Sequence, residues 1–239
     1  MVISMANYKR VLLKLSGEAL AGEKKFGFDE ATCIQVAGQV KKVVDAGVEV
    51  AIVIGGGNYW RGRSSETIDR PKADQIGMLA TVMNCIYVSE IFRYVGMQTS
   101  IYTPFACGTM SELFAKDKAV EDLKNSKVVF LAGGIGHPYF STDTTTALRS
   151  IELECDVILM ARAVDGVYDS DPKKNPNAVK YDSVSYKKLI DDDLKVFDHT
   201  ASILCRENKM PSLIFALEEE NAIYNNCFGK LTGTLVTVD

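Results

Sequence analysis

Two apolar runs in this chain end in glycine-rich segments, and this feature constrains the fold more than any other. Residues 48–54 run into the glycines at 55–57, and residues 127–132 run into the segment 133–138, GGIGHP. Almost continuously apolar runs rich in β-branched residues are typical of strands covered on both faces. Glycines after such a strand bring backbone N–H groups to the sheet edge, where no Cβ blocks a phosphate. Two such loops predict a site for more than one phosphate group.

The whole chain alternates between apolar runs and helical patterns. Strands are predicted at 9–15, 48–54, 98–103, 127–132, 156–161, 211–216 and 233–238. Helices are predicted at 30–46, 72–95, 117–124, 143–155, 186–190, 198–208 and 218–227. This alternation predicts an α/β fold in which a mostly parallel central sheet is sandwiched by helices, with right-handed crossovers.

Residues that favour helix ends and turns refine this outline. Asp29 is predicted as the N-cap and Gly47 as the stop of the first long helix. The segment 162–182 is polar and rich in turn residues, which predicts an excursion or a small hairpin. No linker rich in Pro, Gly or Ser divides the chain, so residues 1–239 are predicted to form one domain with two lobes around one site.

Composition argues against several classes of protein. The net charge is −4 and no polybasic tail is present, so no nucleic-acid partner and no membrane partner is expected. The sequence has no long uncharged apolar stretch, and residues 1–7 are too short for a signal peptide. The six cysteines form no C-x-x-C pair and are expected as reduced core thiols. Together these features predict a cytoplasmic protein.

Lys14 stands at the end of the first predicted strand and is followed by Ser16 and Gly17. Ligands gather at this end of the strands in open α/β sheets. A lysine ammonium is a compact charge that suits the oxygens of a triphosphate. The alternative is a solvated lysine at a strand end.

The segment 55–62, GGGNYWRG, fits neither a Walker A loop nor a dinucleotide fingerprint. Arg61 could clamp a phosphate through two parallel hydrogen bonds. The alternative is a tight turn between a strand and a helix, which explains one or two glycines but not three.

Two later segments carry polar residues in suggestive patterns. In 133–146, Asp143 is either the N-cap of a helix or a carboxylate that fixes a lysine, and the start of that helix offers an anion site. In 164–172, VDGVYDSDP, a plain loop is one interpretation, and a tyrosine between carboxylates that holds an adenosine is the other. The misplaced glycine excludes a calcium loop. Neither His137 nor His199 is expected to be catalytic.

Together and in this order, these motifs resemble the amino acid kinase superfamily, and within it the bacterial UMP kinases. The matching segments cover nearly the whole chain and are 9–20, 53–62, 73–84, 136–143, 164–172 and 194–198. The resemblance implies transfer of the ATP γ-phosphate to UMP, with Mg²⁺ carried on the ATP oxygens and no metal site made by the protein.

The resemblance also implies a set of site residues. The catalytic residues would be Lys14, Arg61, Asp143 and Asp198. ATP would be bound by Lys14, Leu15, Ser16, Gly17, Gly57, Arg61, Arg162, Tyr168 and Asp171. UMP would be bound by Gly56, Asp74, Ile135, Gly136, His137, Pro138, Tyr139, Phe140, Ser141 and Thr142, with Asp74 on the ribose hydroxyls.

Three positions depart from the family pattern. The run 160–162 reads Met-Ala-Arg where Lys-Ala-Thr or a similar polar run is usual, which affects the adenine-side contact expected of Arg162. Ile135 stands where threonine is common, and His137 where asparagine is common. Both changes lie on the acceptor side, where backbone groups could still make the contacts.

The family further implies a homohexamer in pyrimidine nucleotide biosynthesis, with GTP as activator and UTP as inhibitor. The helix at 72–95 either forms a subunit interface or packs in the core. Residues 22–27 are the family-level position for the GTP effect. Two other functions stay open: a kinase for a carboxylate or carbamate, with no ribose role for Asp74, and a non-catalytic nucleotide- or oxyanion-binding protein.

Overall fold

The computed structural model describes residues 8–60, 67–172, 174–194 and 196–238. The strands within them are β1 (Arg10–Leu15), β2 (Glu49–Ile54), β3 (Thr99–Thr103), β4 (Glu112–Leu113), β5 (Val128–Leu131), β6 (Val157–Arg162), β7 (Ser183–Ser185), β8 (Ser212–Ala216) and β9 (Thr234–Thr237). The helices are α1 (Gly17–Leu20), α2 (Glu30–Asp45), α3 (Arg70–Tyr94), α4 (Lys116–Lys124), α5 (Thr142–Glu152), α6 (Tyr186–Asp191), α7 (His199–Glu207) and α8 (Ala222–Cys227).

The strands form one nine-stranded sheet in the order β4-β3-β5-β2-β1-β6-β8-β9-β7. Every pair is parallel except β8 with β9. β1 lies near the middle, with Leu13 opposite Ile52 on one side and Leu159 on the other. The seven predicted strands and the mostly parallel sheet are confirmed. The two short strands β4 and β7 were not predicted, because two or three residues are too few to show a period.

Helices cover both faces of the sheet, as predicted. Because successive side chains of a strand point to opposite faces, Leu13 packs in one hydrophobic cluster and Leu12 in the other. The Leu13 cluster includes buried side chains of α2, α3 and α8. The Leu12 cluster includes Ala119 of α4, Ala147 of α5 and Ala201 of α7. The apolar run of β1 is therefore buried on both sides.

The helix α3 is 25 residues long and, among the described residues, is the one helix long and apolar enough to cross a membrane. This criterion is also met by helices that cover the sheet of a globular protein. The inner side of α3 packs on the sheet through buried residues such as Val82, Val88 and Phe92. Its place in the fold is therefore that of a sheet-covering helix.

The local signals at 29–47 and 162–182 are confirmed. The carboxylate of Asp29 accepts the Thr32 amide at 2.8 Å and caps α2, and Gly47 follows the helix with φ +88°. In the second segment, Tyr168 and Lys180 form an antiparallel bridge. The excursion after β6 is thus a small hairpin.

Candidate active site

Four neighbouring parallel strands, β5, β2, β1 and β6, end at the same edge of the sheet. A cleft of about 610 Å³ opens there, which we call the central cleft. Its walls come from distant parts of the chain and consist of Lys14, Arg70, Asp74, Phe140, Ser141, Thr142, Asp143, Arg162, Asp193, Phe197, Asp198 and His199. Eight of the predicted site residues are brought together here: Lys14, Asp74, Phe140, Ser141, Thr142, Asp143, Arg162 and Asp198.

Two smaller clefts adjoin other predicted residues. The glycine-loop cleft, about 130 Å³, is lined by Gly56, Trp60, Ala73, Asp74, Gly77, Met78, Thr81, Gly134, Ile135, His137, Phe140, Ser141 and Thr142. The hairpin cleft, about 560 Å³, is lined by Val164, Gly166, Tyr168, Asp169, Ser170, Asp171, Pro172, Lys174, Asp192, Asp193, Leu194 and Val196. The central cleft shares residues with each of them, so the three form a continuous line of sites.

Lys14 and Arg162 share one carboxylate in the central cleft. The Lys14 Nζ lies 3.2 Å from Asp143 Oδ1, and the Arg162 Nη2 donates to Asp143 Oδ2 at 2.8 Å. The side chains of Lys14, Asp143 and Arg162 are 9%, 15% and 23% exposed. This buried trio, which we call the charge cluster, contains two basic groups and one acidic group.

Burial and neighbouring charges shift the pKa values in this cluster. Burial is the main cause that lowers the pKa of Lys14; Asp143 opposes it and Arg162 adds to it. Burial alone would raise the pKa of Asp143, but the charges and hydrogen bonds of Lys14 and Arg162 outweigh it and hold that pKa below its usual range. Asp143 is therefore a carboxylate at neutral pH, and the cluster favours a further anion.

The predicted N-cap role of Asp143 is wrong, and its alternative role beside a lysine matches the structure. Ser141 caps α5, since its Oγ accepts the amides of Asp143 and Thr144 at 3.0 and 3.1 Å. Asp143 lies in the first turn with its carboxylate turned to Lys14. Sequence alone could not decide between two good capping residues two positions apart.

Asp198 is held at the start of α7 and faces α5. Its Oδ1 accepts the Ala201 amide at 2.8 Å, and its Oδ2 accepts from Thr144 Oγ1 at 3.0 Å and from Ser141 Oγ. Among the described residues, no direct bond joins Asp198 to Lys14. Its route to the charge cluster therefore runs through Ser141 and the first turn of α5.

Asp74 lies in the wall between the central and glycine-loop clefts. Its Oδ2 accepts from Arg70 Nε and from the Tyr139 amide, each at 2.8 Å. The Arg70 guanidinium also lies 5.2 Å from the centre of the Tyr139 ring. Of the other predicted acceptor residues, Gly136 and Pro138 belong to the same loop as Tyr139, and this loop has exposed aromatic side chains at Tyr139 and Phe140.

The predicted residues on the other side of the charge cluster occupy two places. Ser16 begins α1 with an extended backbone, and Leu15 and Gly17 beside it are buried. Tyr168 and Asp171 line the hairpin cleft, where the Tyr168 hydroxyl donates to Asp165 Oδ1 at 2.8 Å. Arg162 lines the central cleft rather than this one.

The loop after β2 is fixed by two buried amide side chains that the sequence analysis did not assign a role. Asn84 Nδ2 donates to the Gly55 carbonyl at 2.7 Å and to Asn58 Oδ1 at 2.8 Å. A Cβ on Gly17 would lie 2.3 Å from the Gly55 carbonyl oxygen, so the loops after β1 and β2 meet only because residue 17 is glycine. Asn58 and Asn84 are 26 positions apart in the sequence, which explains why no local pattern revealed this pair.

The first glycine of each run uses its backbone N–H group in a hydrogen bond within the protein. The Gly55 amide donates to the Leu15 carbonyl at 3.0 Å, and the Gly133 amide donates to Thr81 Oγ1 at 2.8 Å. The expectation that strand-end glycines offer their amides to phosphate therefore applies only to the later members of each run, such as Gly57 and Gly134.

Other predicted features have a defined or limited place. Arg61 lies outside the described residues, as do residues 62–66. His199 faces the central cleft with its Nε2 3.1 Å from Asp193 Oδ1, and His137 is exposed beside the glycine-loop cleft. Within the described ranges, no group of three or more His, Cys, Asp or Glu side chains could hold a metal ion.

Comparison with known proteins gives consistent matches. A model of the amino acid kinase family matches residues 9–216. The UMP kinase of Bacillus anthracis is 36% identical, with TM-score 0.94 over 97% of this chain and 97% of that one. The UMP kinase of Ureaplasma parvum is 34% identical, with TM-score 0.91 over 96% and 98%. The uridylate kinase of Archaeoglobus fulgidus is 25% identical, with TM-score 0.73 over 95% and 99%.

Proposed function

Because the chain belongs to the amino acid kinase family, and within it to the UMP kinases, we propose that it transfers the γ-phosphate of ATP to UMP, giving UDP and ADP. The observation that carries this proposal is the charge cluster of Lys14, Asp143 and Arg162. It lies in a central cleft that continues into a second cleft on either side, which suits two nucleotides whose phosphates meet.

The proposed reaction needs no general base. The second pKa of a phosphate monoester is about 6, so the acceptor is a dianion at neutral pH. One of its oxygens bonds to the γ-phosphorus while the bond to the β–γ bridging oxygen breaks and its electron pair leaves with ADP. The main barrier is the repulsion between two anions, which fixed positive charge lowers. We assign this role to Lys14 and Arg61.

The donor nucleotide is assigned to the loop after β1 and to the hairpin cleft. In this arrangement Lys14, Leu15, Ser16, Gly17 and Gly57 surround the ATP phosphates. Tyr168 and Asp171 then contact the adenosine. The partial burial of Gly57 and the closeness of the two loops support this assignment, because a compact turn brings backbone N–H groups near one another.

The acceptor nucleotide is assigned to the glycine-loop cleft. Asp74 would bind the ribose hydroxyls, in exchange for its present bonds to Arg70 and the Tyr139 amide. Gly56 and the loop from Ile135 to Thr142 would surround the uracil and the phosphate. Ile135 and His137 differ from the residues common in the family at these positions. Both still contribute to the lining of this cleft.

Mg²⁺ is assigned to the ATP phosphates and water, where it would neutralise part of the phosphate charge. Two acidic side chains of the central cleft are already engaged: Asp143 by two basic groups, and Asp198 by hydroxyls and an amide. Hard oxygen ligands are present, but these carboxylates fit a metal brought in by the nucleotide better than a metal held by the protein alone.

A coupled assay with ATP and one acceptor at a time tests the proposal. UMP, CMP, aspartate, acetylglutamate and carbamate are compared at equal concentration, and UMP is expected to give the highest kcat/KM. Turnover of a carboxylate or carbamate without turnover of UMP would reverse the assignment. Binding of UMP and ATP without any turnover would instead favour a non-catalytic nucleotide-binding protein.

The turnover of the Lys14→Ala variant distinguishes more sharply between a kinase and a non-catalytic nucleotide-binding protein. Removal of one group that stabilises the transition state typically costs about 100-fold in kcat. We expect at least that loss at unchanged folding, measured by circular dichroism. Lys41→Ala is a matched control, because Lys41 forms an exposed pair with Asp45 on α2, away from the clefts.

We also propose a homohexamer in which α3 provides part of a subunit interface. Three large apolar side chains on this helix face outward: Ile76, Leu79 and Met83 are 39%, 54% and 48% exposed. An apolar stripe of this kind is favoured where another protein surface covers it. Light scattering is expected to show six copies for the wild type and a smaller species for Leu79→Glu.

The proposal also covers the regulation of the enzyme and its cellular compartment. GTP is expected to activate the enzyme and UTP to inhibit it, as suits an enzyme of pyrimidine nucleotide biosynthesis, and residues 22–27 are our candidate for the GTP effect. The UMP assay with each effector tests this. A single domain in the cytoplasm is expected; in agreement with a reducing compartment, all six cysteines are free and five are buried.

A further inference from the structure

Arg162 stands in an unusual environment for an arginine in a structural ion pair. It is the last residue of β6, and its carbonyl accepts the Leu217 amide at 2.9 Å, which fixes the base of the side chain. The guanidinium reaches across to Asp143, where it makes one hydrogen bond through Nη2. Among the described residues, its buried Nε has no hydrogen-bond partner.

A buried donor without a partner destabilises the folded protein, and a charged donor does so more strongly. Arginine has five N–H donors in a fixed fork that matches the oxygens of phosphate. Arg162 lines the central cleft with 23% of its side chain exposed, so the guanidinium N–H groups that face the cleft and are not taken by Asp143 are available to an anion there. The cluster supports the same conclusion, because two basic groups share a single carboxylate.

The position of the guanidinium identifies the anion. It lies beside Lys14 and at the start of α5, in the central cleft between the glycine-loop cleft and the hairpin cleft. The phosphoryl group that moves from one nucleotide to the other must cross this place. We propose that Arg162 contacts the γ-phosphoryl group of ATP during transfer, as a further catalytic cation in addition to Lys14 and Arg61. This inference rests on the proposed function.

In the transfer step, an oxygen of the acceptor phosphate bonds to the γ-phosphorus, and the bond to the β–γ bridging oxygen breaks. Negative charge spreads over the three equatorial oxygens and the leaving oxygen. Arg162 donates hydrogen bonds to the equatorial oxygens from one side, while Asp143 keeps its guanidinium in place. No proton moves, because the acceptor is already a dianion.

The contact differs from the adenine-side role that the family pattern implies for this position. An adenine contact would need the guanidinium in the hairpin cleft with Tyr168. In the structure it lies in the central cleft and is bonded to the same carboxylate as Lys14. The family pattern has a short polar side chain at position 162, and this chain has arginine. We therefore expect residue 162 to contact the phosphates of ATP rather than the adenine.

The test compares Arg162→Met and Arg162→Lys with the wild type. Wild-type turnover of UMP is measured first, so failure of the proposed function is seen before the variants are compared. Arg162→Met is expected to lower kcat about 100-fold, and Arg162→Lys to recover part of that loss. Arg10→Met is the matched control, since Arg10 is a buried arginine paired with Glu49 at the other end of β1.

Calorimetry with two probes then locates the contact. Arg162→Met is expected to weaken a non-hydrolysable ATP analogue about tenfold while ADP binding stays within twofold of the wild type. Equal weakening of both probes would place the contact on a part that ADP and ATP share, such as the adenine side, and overturn the proposal. Unchanged kcat and unchanged binding, with only a lower Tm, would overturn it in favour of a structural role. If the methionine variant does not fold, the same two affinities in Arg162→Lys decide.

Discussion

The loop after β2 and the loop after β5 both follow a buried strand with a run of glycines, but the protein holds them differently. Around the first loop, Asn58 and Asn84 are 1% and 0% exposed and bond to each other. In the second loop, Gly133, Gly134 and Gly136 have φ values of +78°, +65° and +88°. The aromatic side chains that follow, Tyr139 and Phe140, are 64% and 49% exposed.

The difference separates two roles for the same sequence signal. A loop fixed by buried, fully bonded amides is preorganised and keeps its amides in one geometry. A loop with few buried contacts opens at low free-energy cost and can close around a ligand. We therefore expect the first loop to behave as a fixed wall and the second as an adjustable one, and substitutions should separate them.

The largest expected difference lies between a glycine packed against the first loop, Gly17 of α1, and a glycine within the second loop, Gly134. Gly17→Ala puts a Cβ 2.3 Å from the Gly55 carbonyl oxygen and should destabilise the protein by about 3 kcal/mol. Gly134→Ala meets no atom closer than 3.7 Å and has only the cost of positive φ, about 1 kcal/mol. Urea unfolding measures both.

Gly38→Ala is the control for this pair, because a Cβ there has nothing within 4 Å and lies inside α2. It should stabilise the protein by up to about 1 kcal/mol. Equal effects of Gly17→Ala and Gly134→Ala would contradict the distinction between the two loops.

A smaller contrast is expected from the side chains that hold each loop. Asn84→Ala removes the donor to two buried acceptors, the Gly55 carbonyl and Asn58 Oδ1, at a cost of roughly 2–3 kcal/mol. Thr81→Val removes one acceptor from the Gly133 amide and should cost about 1 kcal/mol. Thermal unfolding of the two variants checks the order, and the reverse order would count against a fixed first loop.

Asp74→Asn probes the adjustable loop in the presence of nucleotide. The substitution weakens the proposed contact between Asp74 and the ribose of UMP and leaves the ATP site unchanged. The KM for UMP should therefore rise about tenfold. The KM for ATP is expected to stay within twofold. Steady-state kinetics with each nucleotide varied in turn measures this, and an equal rise in both constants would argue against our division of the clefts.

The smallest expected effect is the pH dependence of the charge cluster. The pKa of Asp143 is lower in the folded protein than in the unfolded chain, so its ionised form stabilises the fold above the unfolded pKa. That stabilisation is lost as the pH falls through the folded pKa. Asp143→Asn should therefore flatten the acid side of a plot of unfolding free energy against pH. An unchanged acid limb would show that the ion pairs contribute little.

The fold could be predicted from the sequence wherever a strand is long and covered on both faces. The runs of β2 and β5 are almost continuously apolar, short and rich in β-branched residues, and this combination favours a buried strand over a buried helix. β4 and β7 were missed because they are short strands toward the edges of the sheet. The sequence left the role of Asp143 open between an N-cap and a partner for a lysine, since Ser141 and Asp143 both cap helices well and only the tertiary contact with Lys14 separates them.

The site could be predicted as a set of motifs but not as a geometry. Glycines after strands marked the edge of the sheet at which the clefts lie, because parallel strands end together. The pairing of Asn58 with Asn84 depends on how α3 packs, and no local pattern encodes it. The shared carboxylate of Lys14 and Arg162 likewise follows from strand order, which places β6 beside β1.

The alternation of β1 links the lysine to the core. Leu13 and Leu15 point to the face covered by α2 and α3, while Leu12 and Lys14 point to the face where α5 lies. A slip of one residue in the pairing of this strand would put a leucine opposite Asp143 and drive an ammonium group among aliphatic side chains. The packing of the core and the position of the proposed catalytic lysine thus depend on the same strand register, so a chain that misaligns β1 disrupts both in a single error.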